Sequence, residues 1–154
     1  MPSTLDGYFA DNAYPAQLGE RMTPGWIAAM ATRNGWATPD LAKSFHMLDI
    51  GCGDGLGLAL MAASHPHAVF EGMDGMEAHI DRGTVFARDI PNIHLARQLF
   101  SEALATGGAP CDFVTAHGIL AWVAPRIRAE AMDLAATRLA PGGICAVSYN
   151  AMPG

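Results

Sequence analysis

The sequence predicts an α/β fold of three layers, with helices on both faces of a mostly parallel sheet. Three observations carry this. Apolar runs of strand length alternate with segments of helical period along most of the chain, the pattern of parallel strands joined by crossover helices. The run 47–50 breaks into Gly51-Cys52-Gly53-Asp54-Gly55 and resumes as Leu56, Ala59, Leu60 and Ala63 at three- and four-residue steps, which reads as strand, tight turn and helix. A second apolar run, 68–73, ends in an acid, Asp74, a little over twenty residues past Gly51. The expected strand order is 3-2-1-4-5. A crevice then opens at the carboxyl ends of strands one and four, where the order reverses.

The elements follow in order. Residues 1–22 are polar and interrupted by Pro2, Gly7, Pro15 and Gly19; Tyr8, Phe9 and Tyr14 are read either as a lid or as part of a tail without fixed structure. Thr23-Pro24 reads as an N-cap followed by proline at the first helical position, and the helix through Trp26, Ile27 and Met30 stops at Asn34-Gly35. Residues 36–44 contain Pro39 and read as a linker, so 1–44 form an N-terminal segment and 45–154 the main domain. The first strand is expected at 46–51 and its helix at 55–64. The second strand is expected at 68–73 and its helix at 76–90. A third strand at 92–100 leads to one helical turn at 101–105, before the Gly107-Gly108 break. The fourth strand is 111–116. Pro125 opens a helix with Ile127, Ala131, Leu134 and Ala135 on one face, ending at Pro141-Gly142-Gly143, and 144–149 is a fifth strand.

Composition narrows the class. At 154 residues, 51% hydrophobic and 16% charged, the chain is one domain with a sizeable core. A net charge of −6, with nine scattered Lys and Arg, argues against nucleic acid as a partner. Cys52, Cys111 and Cys145 lie far apart in or beside apolar runs, as reduced thiols of a cytoplasmic protein would. No apolar run has membrane length and no signal-peptide pattern is visible. His65-Pro66-His67 offers two imidazoles without a third ligand, so no metal is expected. Cys52 has no histidine placed to activate it as a nucleophile; a small side chain facing the core is the simpler role.

The glycine turn is the expected binding corner, because glycines admit positive φ and the helix start beyond them presents unpaired N–H groups. Its ligand is not a dinucleotide. Counting G-x-G-x-x-G from Gly51 places Leu56 at the last glycine, and counting from Gly53 places Leu58 there. No G-x-x-x-x-G-K-[ST] is present either. The order found is acid-x-Gly-x-Gly-x-Gly with Asp49 as the acid. Asp74 suits a bidentate bond to ribose hydroxyls, against the alternative of capping the next helix. Asp54 is read as a cap for the helix after the turn.

The Asp49-to-Gly55 pattern resembles the first motif of class I S-adenosylmethionine-dependent methyltransferases. Leu139-Ala140-Pro141-Gly142-Gly143 is similar to their LKPGG turn. Residues 111–123, with Asp112-Phe113, His117-Gly118 and Trp122-Val123, resemble the FDFIxxHGxxSWV segment of one bacterial group. Members of that group carry a methyltransferase domain followed by a methyltransferase regulatory domain. Ser148-Tyr149-Asn150-Ala151-Met152-Pro153-Gly154 resembles the same group's SYNALPG segment. The resemblance spans roughly residues 40–154 and implies a Rossmann-like methyltransferase fold whose last strands are missing here, as in a C-terminally truncated domain. It implies S-adenosyl-L-methionine as cofactor, held by Asp49, Gly51, Cys52, Gly53, Asp74 and Gly75. Leu99 and Phe100 would flank the adenine, with Ser101 as a polar contact in place of the acid many members have. His117 stands where class I enzymes often contact substrate. It is read as a catalytic base or orienter, or as a residue shaping the cofactor pocket by hydrogen bonding. Trp122 is read as a pocket wall or as core, and Tyr149 and Asn150 as reaching the substrate side or opening a further connection. The implied activity is methyl transfer by in-line displacement to an acceptor that is a small molecule or a protein side chain. The alternative is a module that binds the cofactor without turnover. The edge of the fifth strand is expected to be exposed, which invites a homodimer.

Overall fold

The computed structural model describes residues 16–151, together with the backbone of two short strands, β1 (Thr4–Leu5) and β2 (Tyr8–Phe9), which pair antiparallel. The side chains of Tyr8, Phe9 and Tyr14, and residues 152–154 of the SYNALPG-like segment, lie outside the described residues. A 3-10 turn, Glu20–Met22, leads into α1 (Pro24–Arg33). Thr23 caps α1 by accepting the Trp26 N–H at 3.3 Å, and Gly35 beyond Asn34 takes φ 79°, so both ends are where the sequence signals them.

The main sheet has five parallel strands: β3 (His46–Ile50), β4 (Val69–Asp74), β5 (Ile93–Arg97), β6 (Cys111–His117) and β7 (Leu139–Ser148). Their spatial order is β5-β4-β3-β6-β7. Counted within the sheet this is 3-2-1-4-5, as expected. The crossover helices are α2 (Leu56–Ser64), α3 (Glu77–Ala87), α4 (Phe100–Thr106) and α5 (Pro125–Arg138).

Side chains alternate across the sheet and build a core on each face. On one face Met47, Phe70 and Phe113 pack with Ile27 of α1 and with Leu58, Ala59 and Met61 of α2. On the other, Leu48, Ile50, Met73 and Val114 pack with Phe100 of α4 and with Ile127 and Leu134 of α5. Strands covered on both faces read as continuous apolar runs, which is why the sequence showed them as runs rather than alternations. Each such large side chain contributes roughly 1.5–3 kcal/mol when fully buried.

Several boundaries differ from expectation. The third strand stops at Arg97 instead of reaching Phe100, and Phe100 opens α4, a helix of seven residues rather than a single turn. The reason is local: the Glu102 carboxylate accepts the Leu99 N–H at 2.7 Å and caps the new helix. Helix α3 spans Glu77–Ala87 rather than 76–90. Helix α5 ends at Arg138, because Leu139 turns extended and pairs with Cys111; residues 140–143 then shift the register as an irregularity within the strand before Ile144 meets Phe113. The strand β7 therefore begins at Leu139, not at 144. In the His65-Pro66-His67 loop, His65 Nδ1 lies 2.9 Å from the Met61 carbonyl and His67 Nε2 lies 2.9 Å from that of Leu41. Among the described residues no group of three or more His, Cys, Asp or Glu is arranged to hold a metal, and no helix is long and apolar enough to cross a membrane.

Candidate functional site

A cleft of about 350 Å³ opens at the carboxyl ends of β3, β4 and β6, the place the reversal of strand order dictates. Its floor is the glycine turn. Gly51, Gly53 and Gly55 all take positive φ. The N–H groups of Gly51 and Cys52 both donate to the Met73 carbonyl, at 2.8 and 2.9 Å, which ties the turn to the end of β4. The N-cap of α2 is Gly55 rather than Asp54, whose carboxylate accepts the Leu56 N–H at 3.3 Å from just before the helix.

Asp74 is the hub. Its Oδ2 accepts the Gly53 N–H at 3.0 Å, and its Oδ1 accepts the Met76 N–H at 2.9 Å. The His79 Nδ1 sits 3.1 Å from the same Oδ1. One carboxylate thus joins the glycine turn, the end of β4 and the start of α3. The two readings of Asp74 are not exclusive, since it braces the next helix and still lines the cleft. His79 is 1% exposed and was not singled out from the sequence. Its signal was there in outline, as a histidine one helical turn into α3, five residues beyond the acid.

Asp49 points into the cleft from β3. Thr115, opposite it in register on β6, donates its hydroxyl to Asp49 Oδ1 at 2.7 Å. Burial raises the Asp49 carboxyl to about 6, with the nearby Asp74 charge adding and the Thr115 hydrogen bond opposing. Burial also pushes the Cys52 thiol well above its usual value, so Cys52 is no thiolate nucleophile.

The structure brings Asp49, Gly51, Cys52, Gly53, Asp74, Gly75, Phe100 and His117 to one cleft. Leu99 and Ser101 are not in its lining. With the strand ending at Arg97, Leu99 packs against the α4–α5 core and Ser101 is exposed on the first turn of α4. Trp122, 48% exposed, and Asn150 line the mouth, whereas Tyr149, 65% exposed, does not. The N-terminal segment contributes Gln17, Gly19 and Met22, which sequence reasoning did not assign to the site.

The donor set fits an adenosine carrying a cationic amino-acid tail. Asp74 is an acceptor at the tip of the second strand, Phe100 is an apolar wall, and Asp49 is a half-buried acid. The described lining includes no Lys or Arg. A phosphate ligand would find no counter-charge, while an ammonium and a sulfonium find two carboxylates.

The sequence profile of the methyltransferase domain family matches residues 47–143, well over half of the chain. The chain belongs to the class I S-adenosylmethionine-dependent methyltransferases. The chain is 28% identical over 151 residues to the uncharacterized protein sll1526 of Synechocystis, covering 97% of this chain and 30% of that protein. It superimposes on PKMT2 from Rickettsia typhi, solved in complex with AdoHcy, with a TM-score of 0.85 and 28% identity, over 92% of this chain and 27% of that one. The fold alone is shared with phosphoethanolamine N-methyltransferase 1 of Haemonchus contortus, at a TM-score of 0.61 and 18% identity over 82% of this chain and 25% of that one. The domain thus spans under a third of the Synechocystis and Rickettsia typhi relatives.

Proposed function

We propose that this domain transfers a methyl group from S-adenosylmethionine to a nucleophilic acceptor by in-line displacement. We also propose that it stands with the bacterial group in which a methyltransferase regulatory domain follows, on the strength of the His117-Gly118…Trp122-Val123 and Ser148-Tyr149-Asn150 segments. The observation that carries the functional reading is the Asp74 carboxylate. It lines the cleft while holding Gly53 on one oxygen and the start of α3 on the other.

The cofactor supplies an electrophilic methyl group on a positively charged sulfur, which leaves without protonation. The work of the chain is alignment and exclusion of water. Asp74 offers acceptor oxygens to ribose hydroxyls, Phe100 gives the adenine an apolar wall, and Asp49 faces the ammonium. Trp122 and Asn150 border the side on which the acceptor enters. A mouth without Lys or Arg in its described lining favours an acceptor, on a small molecule or a protein side chain, with no acid group beside its nucleophile.

Calorimetric titration of S-adenosylmethionine and S-adenosylhomocysteine into the protein tests the reading. Saturable binding of both is expected. Asp74→Asn keeps the shape and one acceptor but loses the charge, and is expected to weaken both ligands about 10–100-fold. A folded protein that binds neither ligand refutes the proposal.

A further inference from the structure

The ends of β6 and β7 carry a second polar constellation that the cofactor reading leaves unexplained. His117 and Ser148 are register partners on the two strands. His117 Nδ1 lies 2.6 Å from Ser148 Oγ, and the Gly118 N–H donates to the same Oγ at 3.1 Å. A serine hydroxyl has one proton and two acceptor lone pairs. One lone pair is taken by Gly118. His117 Nδ1 lies within reach of the hydroxyl proton. With Nδ1 accepting, a neutral imidazole carries its proton on Nε2.

We infer that Ser148 is a positioning residue that holds His117 in the tautomer with Nε2 protonated, so that the ring acts in the cleft as a hydrogen-bond donor and not as a base. The Nε2 edge lies beneath Gly19 of the N-terminal segment, where a β-carbon at position 19 would stand 3.6 Å from it, and both residues line the cleft. The register β3–β6 pairs Asp49 with Thr115, so two residues further on His117 stands beside the glycine turn. This position selects the group the donor meets. The described lining holds two carboxylates and no Lys or Arg, so the carboxylate of an amino-acid ligand must be bound by neutral donors. The Nε2–H is one, whereas the N–H groups of Gly51, Cys52, Gly53 and Gly55 in the turn already donate to Met73, Asp74 and Cys52. This ligand assignment rests on the cofactor reading above; the tautomer assignment does not.

The tautomer is read by long-range 1H–15N correlation on the imidazole nitrogens of the free protein at about pH 8, where an ordinary imidazole is neutral. His117 is expected to show a protonated Nε2 and a bare Nδ1. Ser148→Ala is expected to release it into a mixture of tautomers, and Ser148→Thr, which keeps the hydroxyl, to restore the single form. A proton on Nδ1 in the unsubstituted protein, or a spectrum unchanged in Ser148→Ala, overturns the inference. Retained amide spectra of both variants exclude misfolding as the cause.

The ligand assignment is read by comparing S-adenosylhomocysteine with 5′-methylthioadenosine, which lacks the amino-acid tail. Ser148→Ala is expected to weaken the first about tenfold, the worth of roughly one hydrogen bond to a charged group, and to leave the second within twofold. Equal effects on the two ligands overturn the carboxylate assignment. If neither ligand binds the unsubstituted protein, the cofactor reading and the carboxylate assignment fall together, while the imidazole spectrum still decides the role of Ser148.

Discussion

At the scale of single residues, Asp49 shows how binding chemistry opposes stability. A half-buried acid whose carboxyl is raised from 3.8 to about 6 favours the folded state while it is protonated. That contribution is complete below about pH 3.8 and is lost as pH rises through about 6. Asp49→Asn removes this dependence. In the free protein the variant is expected to unfold at a higher temperature than the original at pH 8, with the difference shrinking at pH 5, as followed by circular dichroism. The same substitution removes the charge that faces an ammonium, so calorimetry is expected to show weaker S-adenosylmethionine binding by tenfold or more. That Asp49 would stand at the cleft was legible from its place before the glycines. That Thr115 would hold it was not, because the two are far apart in sequence and meet only through the β3–β6 register. Asp74 followed the same course: its position named it, while its link to His79 came from the packing of α3.

At the scale of elements, the strand–turn–helix unit from β3 to α2 has two glycines that look alike in sequence and differ in structure. Gly51 takes φ 72°, and a β-carbon there would stand 2.6 Å from the Ile119 side chain. Gly53 takes φ 59° with nothing within 4 Å of such an atom. Gly53→Ala therefore carries the backbone penalty alone, about 1–2 kcal/mol. Gly51→Ala adds a clash with the loop after β6 and is expected to lose roughly 1–3 kcal/mol more. Urea unfolding of the two variants measures the difference, and equal losses would mean that Ile119 gives way freely. The turn itself was readable from its glycines, as was the cap of α1 from Thr23-Pro24. The break after Arg97 was not, because apolar residues resume at Leu99 and Phe100 after Arg97-Gln98. The Glu102 carboxylate on the Leu99 N–H outweighs strand propensity there.

At the scale of the whole molecule, the sheet separates function from support. The cleft occupies the carboxyl ends of the strands, and a half-buried ionic network ties the opposite side together. Glu71 of β4 pairs with His46 of β3 at 3.1 Å and with Arg138 of α5 at 2.6 Å, and Arg138 also donates to the Ala109 carbonyl at 2.8 Å. The His46 imidazole beside it and then the hydrogen bond from Arg138 hold Glu71 down at about 2 against the opposing effect of burial, and the neighbouring Cys111 and Glu71 hold His46 up at about 10. The Glu71 contribution is complete above about pH 4.5 and is lost as pH falls through about 2. The His46 contribution is complete below about pH 6.5 and is lost as pH rises through about 10. Glu71→Gln is expected to cost about 3 kcal/mol between pH 4.5 and 6.5, a fall of roughly 5–10 °C in Tm, and to flatten the acid limb of the pH profile while only lessening the basic one, which Cys111 also supports. Cofactor affinity is expected to stay within twofold, because no member of the network lines the cleft.

The sequence by itself determined the class of fold, the strand order, the glycine turn and the acids that flank it. These depend on local period, on turn residues and on fixed spacing along the chain, all of which act between neighbours. Tertiary structure decided what those residues touch: Thr115 against Asp49, His79 against Asp74, Ser148 against His117, and Gly19 over the cleft. Each of these except the His79 contact joins segments far apart in the chain, and even that one needs the turn of α3 to bring it home. Such contacts are set by strand register and helix packing, which fix the side-chain partners only once the whole sheet has formed.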